Sequence, residues 1–154
     1  MSEEKPTPAA KPVKAEWQHA SWVSQLGKWA WIWGIINGLI NVIWGLYSVF
    51  VLALIPYGYG VYGMGTGIWL IISGIIAVFI SFAIIKPKVS NKCVQKDWDH
   101  FYSWVWKLGS FRFPFVLFWG IVLEVFGYGW GGIPVIIIAI MLIFLGPKEY
   151  KWSE

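Results

Sequence analysis

The chain has 154 residues, 58% of them hydrophobic, 19% aromatic and only 13% charged, with a formal net charge of +4 and a mean hydropathy of +0.62. This balance lies outside the range of soluble globular domains and predicts an integral membrane protein. The single Cys93 excludes an internal disulfide. The pI near 9.2 is carried by lysines beside apolar stretches, which fits orientation and attraction to anionic lipid better than binding of nucleic acid.

Residues 1–15, MSEEKPTPAAKPVKA, combine three prolines with mixed charge and, Val13 apart, no large apolar side chain. They predict a disordered cytoplasmic tail. No cleavable signal peptide is expected, because a polar leader precedes an apolar run longer than a signal core. The next stretch, EWQHASWVSQLG at 16–27, is too polar to cross a bilayer and too aromatic for a solvated tail. Its His19, Trp22, Leu26 and Trp29 share one helical face, which predicts an amphipathic helix at headgroup level with Trp17 and Trp22 as anchors. Gly27 is a natural stop for it. Lys28 stands where a capping serine would be, so this helix can also run straight on.

From Trp29 to Ile85 there is no Asp, Glu, Lys, Arg or His. A hydrocarbon core of ~30 Å needs about 20 apolar residues per helix, so this stretch has room for two spans. The Gly/Tyr-rich IPYGYGVYGMGTG at 55–67 divides it into spans at 29–55 and 66–85. In the first, Ala30, Gly34, Gly38, Asn41, Gly45 and Ser48 recur at steps of three and four; in the second, Gly67, Gly74, Ala77 and Ser81 do so. Such seams let helix backbones approach closely where lipid supplies no hydrophobic drive between helices. Asn37 and Asn41, one turn apart, are candidates for a polar lining or for hydrogen bonds across helices, with the latter favoured.

After a basic cytoplasmic linker at 89–96, DWDHFYSWVWKLG at 97–109 repeats the earlier stretch. Ser21-Trp22-Val23 and Leu26-Gly27 match Ser103-Trp104-Val105 and Leu108-Gly109 at an offset of 82. Glu16-Trp17 and His19 match Asp97-Trp98 and His100 at an offset of 81, one residue being inserted between the blocks. A second interfacial helix is expected, with Phe101, Trp104, Leu108 and Phe111 on one face and Trp98 and Trp104 as anchors. Gly109 would end it, Ser110 would cap the next helix, and Pro114 would sit in that helix's first turn. Two shorter spans follow at 111–127 and 132–146, divided by GYGWGG at 127–132. Their contact faces are Gly120, Glu124 and Gly127, and then Gly132, Ala139 and Gly146. Residues 149–154 form a second cytoplasmic tail.

The expected fold is therefore an all-α integral membrane protein with four transmembrane helices. They form two parallel-repeat hairpins, at 16–88 and 97–148, each preceded by an interfacial amphipathic helix. All twelve Lys and Arg lie outside the two hairpin turns. The positive-inside rule then places both termini and the 86–112 connection in the cytoplasm.

Chemistry is scarce. Glu124 is the one charged side chain from Phe113 to Pro147, which makes it a candidate ion or substrate acid, although pairing with a neighbouring donor is the commoner role. It stands three residues before the outer turn, so it is expected at a shallower depth than Asn41. His19 and His100 recur with the repeat, but interfacial hydrogen bonding suits them better than metal or haem. No cofactor, metal site or catalytic constellation is expected. The predicted function is a non-enzymatic packing or assembly component, self-associating or part of a larger membrane complex. The alternative is a small transporter or channel built on Glu124, Asn37 and Asn41.

Overall fold

The computed structural model describes residues 16–52, 54 and 59–153. The expected tail at 1–15 and the turn residues 55–58 lie outside the described residues. The described residues are mostly helical and include one small two-stranded sheet.

Helix α1 (Ala20–Tyr47) starts after a turn in which the Ala20 N–H donates to the Trp17 carbonyl at 2.9 Å, and a π-helical segment, Ser48–Leu52, extends it. The expected first interfacial helix is thus not a separate element. The cause is a buried stripe, Ala20, Val23, Gly27, Ala30, Gly34 and onward, that keeps helical phase across the proposed stop. Gly27 lies inside the helix because Cys93 is packed on it: a Cβ there would come within 2.6 Å of the Cys93 sulfur.

Helix α2 (Tyr59–Ile80) continues through a π-helical segment, Ser81–Ser90, into the short α3 (Asn91–Val94). Pro87 lies inside the π-helical segment. It has no N–H to donate and its ring crowds the carbonyl four residues back, so a widened helix relieves both problems. Ala20–Val51 and Gly63–Val94, each 32 residues and containing an 18-residue window of mean hydropathy 1.7 and 2.8, are long and apolar enough to cross a membrane.

The two rods pack through glycine. A Cβ on Gly38 would lie 2.6 Å from the Gly74 carbonyl, and one on Gly74 would lie 2.5 Å from the Gly38 carbonyl. Gly45 and Gly67 face each other in the same way, at 2.6 and 2.7 Å. Gly34 is held against Ser81 and Leu123.

The second repeat folds differently from the first. Helix α4 (Trp98–Ser103) is short, with the Asp97 side chain at its N-cap accepting the His100 N–H. An antiparallel pair then follows, β1 (Val105–Leu108) and β2 (Phe111–Pro114), with Val105 opposite Pro114 and Leu108 opposite Phe111. This hairpin corrects both the all-α expectation and the second interfacial helix, and Ser110 is a turn residue rather than a cap. Gly109, at φ +63°, supplies the left-handed residue that a two-residue hairpin turn needs. Pro114 disfavours helical backbone at Phe113, and the aromatic run suits a strand.

Helices α5 (Phe115–Phe126) and α6 (Ile133–Phe144) form the second helical hairpin. Each has 12 residues, about 18 Å at the α-helical rise, shorter than the sequence pattern implied. Helix α6 packs on α1, and α5 on α2 and the π-helical segment that follows it; Val23, Ile85, Val89, Cys93, Leu123 and Ile138 are fully buried in the shared core.

Backbone contact through the α1–α2 seam leaves no room for a methyl group. Gly38→Ala should destabilise the protein by about 1–3 kcal/mol, read as thermal unfolding in mild detergent. Gly65→Ala, whose Cβ would meet open space, should leave the midpoint unchanged or raised.

Candidate functional site

The residues singled out as a polar site converge where the α5–α6 turn meets the middle of α1. Helix α5 ends at Gly127, whose N–H donates to the Leu123 carbonyl at 2.6 Å. Tyr128 and Gly129 then take left-handed backbone, at φ +57° and +95°. The Gly129 N–H returns to the Glu124 carbonyl at 3.0 Å, closing the helix end in the manner of a glycine C-cap. That position has Tyr128 instead of the usual glycine, a choice that costs about 1–2 kcal/mol of backbone strain.

Three side chains bond to peptide groups at the turn. Glu124 Oε2 accepts the Gly132 N–H at 2.7 Å, at the first turn of α6. Asn41 Nδ2 donates to the Phe126 carbonyl at 3.3 Å. Trp33 Nε1 donates to the Trp130 carbonyl at 2.9 Å, and the two indoles meet edge to face at 5.6 Å. Asn41 therefore stands level with Phe126, two residues beyond Glu124, and no direct bond between Glu124 and Asn41 is seen among the described residues. The short hairpin reaches the middle of α1, where Asn41 meets the end of α5.

Asn37 occupies the centre of this joint. It is fully buried, and neither amide atom has a hydrogen-bond partner among the described residues. A Cβ on Gly127 or on Gly131 would come within 2.5 Å of its Oδ1, so the amide oxygen abuts two glycine α-carbons. Weak C–H···O contacts compensate part of its desolvation. Asn37 does not make the interhelical hydrogen bond expected of it.

The glycine and alanine seams take their places around this joint. Gly120 is pressed on Ile136, Gly132 on the Gly120 carbonyl, and Gly146 on the Tyr102 hydroxyl. Ala139 is fully buried in the core. Trp33, Trp130 and Gly131 were missed by sequence reasoning, where Trp130 was only part of a connection. An indole inside a Gly-rich turn was the available signal.

A second polar region lies at the base of the hairpin. Trp17 and Trp98, equivalent in the repeat, meet edge to face at 5.1 Å, and Trp17 Nε1 donates to the Leu145 carbonyl at 2.6 Å. Trp22 is exposed and donates to His19 Nδ1 at 3.3 Å. Trp104 stacks on His100 and Phe115. The C-terminal segment docks on the β-hairpin: the Arg112 N–H donates to the Trp152 carbonyl at 2.8 Å, and Phe111 bridges Ser153. Tyr102, Arg112, Lys148, Glu149, Tyr150 and Lys151 line a cavity of about 120 Å³ there. The Tyr150 hydroxyl donates to the Arg112 carbonyl at 3.0 Å, and Arg112 Nη2 donates to the Tyr102 carbonyl at 3.2 Å. These bonds fasten the tail.

At the start of α4, Lys92 pairs with Asp97 at 2.8 Å, and this hydrogen bond holds the Asp97 carboxyl below its usual range. Burial, with the Lys92 charge adding to it, holds His100 below the ordinary imidazole range, and Asp97 opposes the shift. His19 and His100 each contact aromatic residues of their own segments. Among the described residues no group of three or more His, Cys, Asp or Glu could hold a metal ion.

No family model, curated protein or solved structure matches the chain.

Two outcomes follow from this geometry. Glu124→Gln retains an acceptor for the Gly132 N–H and should unfold close to wild type, whereas Glu124→Leu should lose about 1–3 kcal/mol in the same detergent melts. At mildly acid pH the unfolded chain takes up a proton that folded His100 resists. Stability should fall as pH drops through the unfolded imidazole value of ~6.5, and melts from pH ~7.5 to ~5.5, spanning that value, should show a shallower loss for His100→Gln.

Proposed function

We propose that this chain is a non-enzymatic integral membrane protein that serves as an assembly component, self-associating or joining a larger membrane complex. Four membrane helices form two hairpins that enter from the cytoplasmic side, with both termini and the 86–112 connection on that side. The first hairpin crosses the bilayer. The second, at about 18 Å, enters and turns back near the middle of α1. The two hairpins descend from a duplication whose second copy has since acquired a β-hairpin.

One observation carries the assembly reading. Asn41 and Trp33 are already engaged in holding the α5–α6 turn to α1 and Glu124 in closing that turn onto α6, while large apolar side chains such as Trp29, Ile43, Trp44 and Phe79 stand exposed on the outer faces. Surfaces of that kind are suited to lipid or to other membrane helices, not to water. Native mass spectrometry and cross-linking in mild detergent should find a defined oligomer or a co-purifying membrane partner. Monomer alone under both would sink the proposal.

The transporter reading retains one supporting observation, the buried amide of Asn37 with no described partner. In reconstituted vesicles, a flux that survives Glu124→Gln unchanged would remove Glu124 as its coupling acid.

A further inference from the structure

We infer that the outer leaflet dips above the α5–α6 turn, bringing water and phospholipid headgroups down to Tyr128, near the middle of the first hairpin. The inference rests on the membrane reading above and adds a specific lipid contact to it. Three independent features point there.

The first is register. The Phe126 carbonyl is bonded to Asn41, and the Phe126 ring packs on Trp69 at 6.2 Å. The turn therefore stands level with Asn41 on α1 and Trp69 on α2. From Asn41 to Phe50 the rod continues for about 13 Å. The second feature is what that continuation presents. Ile43, Trp44 and Ile68 are exposed there, and Phe50 is 68% exposed. This is a lipid-facing surface, so hydrocarbon surrounds the rods well beyond the level of the turn.

The third feature is the turn itself. Tyr128 is 57% exposed, and it holds left-handed backbone where glycine would be unstrained. Its phenol needs a polar partner, and an irregular turn is not tolerated against hydrocarbon. Along the flanks of the same hairpin, Ile121, Val125, Ile133 and Ile140 are exposed and apolar, so lipid must cover its sides. Lipid beside a hydrophobic length of about 18 Å has to thin from ~30 Å. Thinning brings headgroups to the turn, where a tyrosine is a favoured interfacial residue.

The test inverts the usual depth order. Single-cysteine variants Tyr128→Cys, Phe50→Cys and Val125→Cys are made in a Cys93→Ala background and expressed in intact cells. Carbonate extraction first establishes membrane integration; its failure would refute the membrane reading itself, separately from the dip. A charged, membrane-impermeant maleimide is then added outside. The expected result is labelling at position 128 and none at 50 or 125, although 50 lies farther outward. Labelling at both 128 and 50 would mean that the bilayer ends at the turn, and no labelling at 128 would mean a turn sealed from the outside. Either overturns the dip. For the headgroup contact, the Tyr128→Cys variant carrying a nitroxide at that position is examined in phosphatidylcholine vesicles containing a nickel-chelating headgroup lipid. Broadening by that lipid is expected; broadening only by a soluble nickel chelate would leave water alone at the turn and refute the headgroup contact.

Discussion

The α5–α6 turn depends on three side chains that pair with its peptide groups: Asn41 and Trp33 of α1 donate to the Phe126 and Trp130 carbonyls, and Glu124 accepts the Gly132 N–H within the hairpin. Each bond contributes ~1 kcal/mol net, but leaving one of these peptide groups unpaired would cost more. The three residues come from two different helices. The Asn41 and Trp33 bonds set the height at which the short hairpin stops on α1, and the Glu124 bond closes the turn onto α6. Glycine completes the joint, since side chains at positions 127 and 131 would displace Asn37. The polar residues of this chain are thus placed to seat a loop, and the small ones to let it approach.

Close approach explains the rest of the packing. Where lipid surrounds helices, no hydrophobic gain drives them together, so contact area between backbones must do it. The Gly38–Gly74 and Gly45–Gly67 pairs supply that area along two levels of the long rods, and Gly120 with Gly132 supplies it within the short hairpin. The basic groups stay at one end. Lys86, at the close of the apolar stretch, lays its ammonium over Trp31 and Phe82 at 4.5 and 4.7 Å, an arrangement suited to a cation at an interface.

Much of this was legible because periodicity reports packing directly. The three-and-four spacing of Gly34, Gly38, Asn41 and Gly45 named the buried face of α1 without reference to any partner. The same method failed at Trp104, Leu108 and Phe111, because three aromatic or aliphatic residues at helical spacing can equally sit on a short strand pair. What decided the matter was local: Gly109 and Ser110 form a two-residue turn, and Pro114 prevents helix before it. Depth was illegible for a related reason. Apolar runs at 111–127 and 132–146 look like spans, but Pro114 and Gly127 clip the helix between them to 12 residues, and only tertiary contacts reveal the level at which the turn is held.

The two similar stretches at 16–27 and 97–109 show how one sequence pattern yields two structures. In the first, Val23 and Gly27 belong to a stripe that continues into Ala30 and Gly34, so helix persists and Cys93 closes over the glycine. In the second, the residues after Leu108-Gly109 offer no such stripe, and the chain turns back on itself before entering α5. That reversal consumes ten residues, 105–114, that would otherwise have lengthened the helix. A shorter second hairpin is the direct consequence of the strand pair at its base. The asymmetry between a long hairpin and a short one therefore originates at the end of the molecule that carries the β-hairpin, although its effect is felt at the other end, where α1 and α2 continue alone past the turn.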